Sequence, residues 1–179
     1  LILHIMTRTV EINSLKSLVH SLEDAIEQKD KSQRHLNYIA NHDVLTGLRN
    51  RYAFKKYIEK YFADDQCQLK YDLKLFLVDL TRFKNINDTL GHDMGDCVLK
   101  SVVIKLKDNL PDEVTIYRLG GDEFAVILQD ENGASSVSEK MVLDELLDIF
   151  KRKYRVKGGR IRIGASIGIC SAPKDANSS

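Results

Sequence analysis

Residues 73–80, Leu-Lys-Leu-Phe-Leu-Val-Asp-Leu, are a nearly continuous apolar run of strand length, and the segments after them leave few ways to fold. From about Asp96 to Asn109, Val98, Leu99, Val102, Val103 and Leu106 recur at helical spacing, and Pro111 follows as a stop. Two short strands, residues 114–119 and 123–129, are joined by Gly120-Gly121-Asp122, a hairpin signal. A helix at about 136–152 is expected to carry Met141, Val142, Leu146, Ile149 and Phe150 toward the core. Residues 161–169 then alternate with a strand's period, and Gly158-Gly159 is suited to turn a small extra hairpin before them. The order β-α-β-β-α-β predicts an α+β fold, a ferredoxin-like, palm-type antiparallel sheet with helices. Right-handed crossovers make the first two strands parallel and place the third and first as antiparallel neighbours in the sheet centre. Asp79, near the end of the first strand, is thereby brought opposite Asp122 and Glu123 at the hairpin.

Upstream, residues 50–62 place Phe54, Tyr57, Ile58, Tyr61 and Phe62 on one helical face. Residues 7–40 have another texture, with no Gly, no Pro and alternating charges. A heptad frame fits them, with Leu15, Leu22, Lys29 and Leu36 at a and Leu18, Ala25, Ser32 and Ile39 at d, widened by Val19 and Ile26. Lys29 and Ser32 make the seam imperfect. A single amphipathic helix packed on its own domain is the plainer reading. About four heptads without a turn signal favour a parallel coiled-coil stalk pairing two subunits.

Composition bounds the rest. A chain of 179 residues, 43% apolar and 30% charged, suits one domain plus an appendage. No run approaches the roughly 20 apolar residues that span a bilayer, and residues 1–6 are too short and lack the form of a signal peptide. The net charge of +1 gives the chain no general attraction for nucleic acid polymers or membranes. Cys67, Cys97 and Cys170 are odd in number and far apart, so they read as reduced thiols of a reducing, cytoplasmic compartment. A start at Leu1 rather than Met marks the chain as a piece of something longer, whose upstream part is free to anchor it in a membrane.

The two glycines of the hairpin need no function, since such turns demand positive φ. The neighbouring acids change the weighing. A carboxylate inside Leu-Phe-Leu-Val-Asp-Leu is expensive to bury unless a cation meets it. Arg82 or Lys84 is one candidate partner. A hard divalent ion held by two or three carboxylates and a backbone carbonyl is the other, with waters left for phosphate.

Four blocks in order resemble the GGDEF family, the diguanylate cyclases. Residues 43–51, Asp-Val-Leu-Thr-Gly-Leu-Arg-Asn-Arg, resemble its D-x-L-T-G-L-x-N-R motif. Residues 79–96 resemble its block from the metal-binding Asp to G-H-x-x-G-D, Arg118–Phe124 its R-x-GG[D/E]EF turn, and residues 165–168 its S-I-G strand. The resemblance covers roughly residues 41–172, giving a domain at 41–179 behind a stalk at 1–40.

By that resemblance Asp79 and Asp122 are Mg²⁺ ligands (with Mn²⁺ as a substitute), the Leu80 carbonyl is a third oxygen, and Glu123 is the second turn acid beside the metals. Asp122 and Glu123 are the catalytic acids. Asn87 and Asp96 match the pair that reads the guanine edge, with His92 in the same pocket. Asn offers donor and acceptor, and Asp accepts from guanine's N1–H and exocyclic amine. Taken singly, Asn87 and Asp96 also suit helix caps. Phe83 and Lys84 fall beside the β- and γ-phosphates, although Lys84 also suits a solvated surface. The implied activity condenses two GTP into c-di-GMP in a homodimer joined through the N-terminal helix and driven by an upstream sensor domain. A catalytically silent GGDEF-like module is the alternative. A polymerase or adenylyl cyclase shares the acids, but Asn87 and Asp96 weigh against adenine.

Three departures stand out. Thr81 replaces a frequent acid. Pro111 and Val114 occupy the positions of the family's R-x-x-D product-inhibition site. The family continues past a position like Ser179 with a helix bearing a phosphate-binding Lys and Arg, so the C-terminal part of the domain is expected to be missing.

Overall fold

The structure, a computed structural model, describes residues 2–63, 72–130, 136–156 and 159–172, with the side chains of the first helix described from Leu15 onward apart from Ser17. It divides into two compact units, residues 1–40 and 41–179.

The first unit is formed by α1 (Ile2–Asn41). Free of Gly and Pro, its 40 residues run for about 60 Å without a break. Glu27 and Lys31 pair along its surface at 2.6 Å. The apolar stripe stays uncovered: Leu15, Leu18, Leu22 and Leu36 are between 54% and 60% exposed. No described helix is long and apolar enough to cross a membrane.

The second unit runs β1 (Arg49–Asn50), α2 (Arg51–Ala63), β2 (Asp72–Thr81), α3 (Phe83–Leu90), α4 (His92–Asn109), β3 (Val114–Gly120), β4 (Glu123–Asp130), α5 (Glu139–Lys151), β5 (Tyr154–Val156), β6 (Gly159–Ile161) and β7 (Gly164–Ala172). Five strands make one sheet in the order β1-β3-β4-β2-β7, and β5-β6 form a separate pair. β2 is antiparallel to both β4 and β7, and β3 is antiparallel to β4, so β2 and β3 are parallel as the handedness argument required. The small hairpin is present with Val156 opposite Gly159, while Lys157 and Gly158 lie outside the described residues.

Alternation of side chains gives the sheet two working faces. On one, Phe76, Val78 and Leu80 of β2 and Phe124, Val126 and Leu128 of β4 pack with Val98, Val102 and Leu106 of α4 and Val142, Leu146 and Ile149 of α5. On the other, Leu73, Tyr117, Ala125 and Ile127 meet Ala53 and Tyr61 of α2, with Phe54 edge-on to Tyr117 at 5.5 Å. Asn50 caps α2 by accepting from the Ala53 amide at 3.0 Å, and Ser138 caps α5 from the Met141 amide at 3.2 Å.

Several expectations need correction. Asp79 is exposed rather than buried, because the second face is open where β2 ends: Leu77, on the same side of the strand, is 43% exposed. Phe62 and Met141 are 43% and 50% exposed. The buried stripes run through Ala53, Tyr57 and Tyr61 and through Val142, Leu146 and Ile149, and each misplaced residue sits one position off its stripe. Residues 161–169 are not one strand. Ile161 ends β6, Ile163 plugs the core at 2% exposure, and β7 begins at Gly164. α4 starts at His92 rather than near Asp96, after a break at Gly91, whose φ of 85° suits glycine.

Candidate active site

The hairpin between β3 and β4 has φ of 143° at Gly120 and 52° at Gly121. A Cβ at either would meet no atom within 4 Å, so backbone conformation rather than crowding requires glycine, and the turn is open above. Asp79 stands opposite Glu123 in the β2–β4 register, and the Leu80 amide donates to the Asp122 carbonyl at 3.2 Å. These contacts fix the end of β2 against the turn. Asp79 holds its proton more tightly than an ordinary aspartate, first because the strand end strips some of the water around it and then through the negative charges of Asp122 and Glu123. The charges acting on it are those acids, not Arg82 or Lys84, so the salt-bridge explanation of Asp79 falls away.

A divalent cation fits this chemistry. Three mutually repelling carboxylates stand beside an open turn, and a hard ion would relieve their repulsion. Among the described residues no group of three His, Cys, Asp or Glu side chains is arranged to hold a metal by itself. A cation among these acids would complete its shell with carbonyl, water or phosphate oxygens, a set of hard donors that suits Mg²⁺.

A second cluster lies between α3 and α4. Phe83 is 6% exposed, and a Cβ at Gly95 would sit 1.9 Å from Asn87 Oδ1 and 3.2 Å from Phe83 Cζ. The missing side chain at Gly95 thus leaves room for the Asn87 carboxamide, next to Asp96. Neither polar residue is a cap. Asp96 lies inside α4, whose cap position is Gly91, and it is the backbone carbonyl of Asn87 that accepts from the Gly91 amide, at 2.9 Å. His92 opens α4 and Lys84 stands in the first turn of α3, both exposed. Arg82, between β2 and α3, adopts φ 62°, a left-handed conformation that costs a non-glycine residue roughly 1 kcal/mol.

Sequence reasoning assigned no role to the groups that hold the turn. Arg118, 9% exposed, donates from Nε and Nη2 to the Gly121 carbonyl at 3.2 and 2.7 Å, and from Nη1 to Asp43 Oδ1 at 2.9 Å. Asp43 Oδ1 also accepts from the Thr46 hydroxyl at 2.5 Å and the Thr46 amide at 2.9 Å. The Asp43 amide donates to the Leu48 carbonyl at 2.8 Å, closing a turn through Gly47. Arg51, Asp43 and Arg118 all lie within the family-like blocks, the one signal that pointed to them.

Burial alone would raise the Asp43 carboxyl, but the Thr46 hydrogen bonds and the Arg118 charge outweigh it and hold the group below its usual value of 3.8. A carboxyl depressed by folding contributes stability above its unfolded value and loses it as pH falls through the folded one. In urea unfolding from about pH 5 down to about pH 2, Asp43→Asn should flatten the acid limb of stability. At neutral pH the same change should cost about 2 kcal/mol, since it strips Arg118 of its counter-charge. An acid limb unchanged by the substitution would refute the assignment.

Comparison with known proteins places this arrangement. The family model described as diguanylate cyclase, GGDEF domain, matches residues 40–179. The chain belongs to the GGDEF domain family. The diguanylate cyclase TpbB of Pseudomonas aeruginosa is 30% identical over 93% of this chain and 37% of its own length. The cyclic di-GMP phosphodiesterase NbdA of Pseudomonas aeruginosa is 33% identical over 84% of this chain and 19% of its own length. The solved coiled coil and GGDEF domain of DgcB from Caulobacter crescentus, in complex with c-di-GMP, superposes with a TM-score of 0.75 at 25% identity, covering 88% of this chain and 83% of that one. The chain thus spans 19% of the length of NbdA and 37% of that of TpbB.

Proposed function

We propose that residues 41–179 are one half-site of a diguanylate cyclase and that α1 brings two half-sites together. The convergence of Asp79 with Asp122 and Glu123 at an open glycine turn carries this reading, and the seating of the Asn87 carboxamide over Gly95 supports it. Asn87 and Asp96 hold guanine by its hydrogen-bonding edge, His92 closes the same pocket, and Phe83 falls beside the β- and γ-phosphates. Lys84 steadies the terminal phosphates. Asp79, Asp122, Glu123 and the Leu80 carbonyl would hold Mg²⁺, which supplies charge stabilisation at the α-phosphate and leaving group.

Each 3′-hydroxyl attacks the α-phosphorus of the facing GTP. The new P–O ester bond forms as the bond to the β-phosphate oxygen breaks and pyrophosphate departs, and Asp122 or a neighbouring group takes the hydroxyl proton. Two such transfers give one c-di-GMP and two pyrophosphates. Neither half-site completes the ring alone, so a helix pair that raises their effective concentration has a direct catalytic use. An upstream sensor in the parent chain would act through α1.

The decisive measurement is pyrophosphate release from GTP and from ATP by the dimeric protein. Release from GTP alone is expected. Equal release from ATP would remove the guanine-reading role of Asn87 and Asp96. The similarity to a named phosphodiesterase keeps one second reading in play, a GTP-binding module without turnover. GTP binding with no pyrophosphate from a verified dimer would favour it.

A further inference from the structure

Arg51, the first residue of α2, reaches across the hairpin. Its Nε donates to the Leu119 carbonyl at 2.7 Å and its Nη2 to Glu123 Oε2 at 3.1 Å. One planar guanidinium thus ties the residue before the glycines to the acid after them. Stability does not account for this contact. The Arg51 and Glu123 side chains are 69% and 52% exposed, and such a pair contributes at most about 1 kcal/mol. A cation in the first turn of a helix also meets the unfavourable end of the helix dipole.

The contact has a different use. Glu123 faces Asp79 across the β2–β4 register, and like charges placed directly opposite repel. An unrestrained Glu side chain would swing away into solvent. We propose that Arg51 is a positioning residue that holds Glu123 beside Asp79 through Oε2 and leaves Oε1 turned to a divalent cation. The proposal rests on reading Asp79, Asp122 and Glu123 as the metal centre. Arg is suited to the task because its fork spans two acceptors at once, which an ammonium group does not reproduce.

The test is Mn²⁺ titration followed by electron paramagnetic resonance, on the full chain with saturating α,β-methylene GTP. Arg51→Ala is expected to weaken Mn²⁺ binding about tenfold, and Arg51→Lys to recover only part of the loss. Affinity for the nucleotide analogue without metal should be unchanged, which separates positioning from general damage. In a Glu123→Gln background, Arg51→Ala should add less than about twofold, since the two residues act as one unit. Unaltered or tighter Mn²⁺ binding by Arg51→Ala overturns the proposal. So does an undiminished loss in the Glu123→Gln background. If the unsubstituted chain binds no Mn²⁺, or Asp79→Asn leaves binding intact, the metal centre itself fails and the proposal falls with it.

Discussion

Asp79→Asn should abolish c-di-GMP formation while leaving the domain folded and marginally harder to unfold. The two halves of this expectation share one cause. Asp79 lies at the exposed end of β2, where partial desolvation by the strand and then the charges of Asp122 and Glu123 act against its ionisation. A carboxyl raised by folding destabilises the folded state once ionised, and the penalty is present above its folded value and fades as pH falls through it. Removing the charge should therefore raise the neutral-pH melting temperature, by no more than about 3 °C because solvent screens so exposed a group. The gain should vanish in acid, where the native carboxyl is protonated anyway. Product formation should fall by at least roughly 10²–10³-fold, the scale for losing a principal electrostatic contributor. Product assay and thermal melts on the same sample decide it. A folded variant with full activity would eliminate Asp79 as a metal ligand, and a lower melting temperature would contradict the repulsion.

The second large effect is expected in α1. Leu18 and Leu22 are 55% and 54% exposed on a stripe that also carries Leu15, Val19, Ile26, Leu36 and Ile39. If that stripe meets a second copy, Leu18→Asp with Leu22→Asp places unpaired carboxylates in the seam, each costing several kcal/mol on the order seen for buried unpaired charges. A seam containing Lys29 and Ser32 has little reserve. The double variant should sediment as a monomer, its cyclase rate should become steeply concentration-dependent, and the unit beyond residue 41 should keep its fold. Persistence of the dimer would move the interface to another surface.

Much of this architecture was legible in the order of apolar segments. Handedness of crossovers is a topological constraint, so the approach of Asp79 to Asp122 and Glu123 followed without any knowledge of side-chain packing. The buried stripe of α4 was equally plain, since Val98, Leu99, Val102, Val103 and Leu106 leave a helix only one inward face. What covers a sheet face is a tertiary matter, however. The apolar run around Asp79 reads as buried on both sides, whereas the face bearing Leu77 and Asp79 is open. The grip of Arg118 on Asp43, 75 positions away, and of Arg51 on Glu123, 72 positions away, depends on rotamers and on how α2 docks, neither of which local pattern encodes. The role of Gly95 was hidden for a related reason. A glycine inside a helix ordinarily signals weakness, and only the neighbouring Asn87 shows what its missing side chain accommodates.

The central place of β2 also governs how the protein is made. Its two edges are occupied by β4 and by β7, the latter pairing Leu73 with Ala172. During synthesis the strand that bears Asp79 emerges long before its last partner, and until residue 172 has left the ribosome one of its edges is an unpaired template that another chain can join. Contacts so distant in sequence form slowly because the loop must close before they stabilise anything. The sheet that displays these acids is therefore among the last features to mature, and a nascent chain carries the acids well before it carries the site.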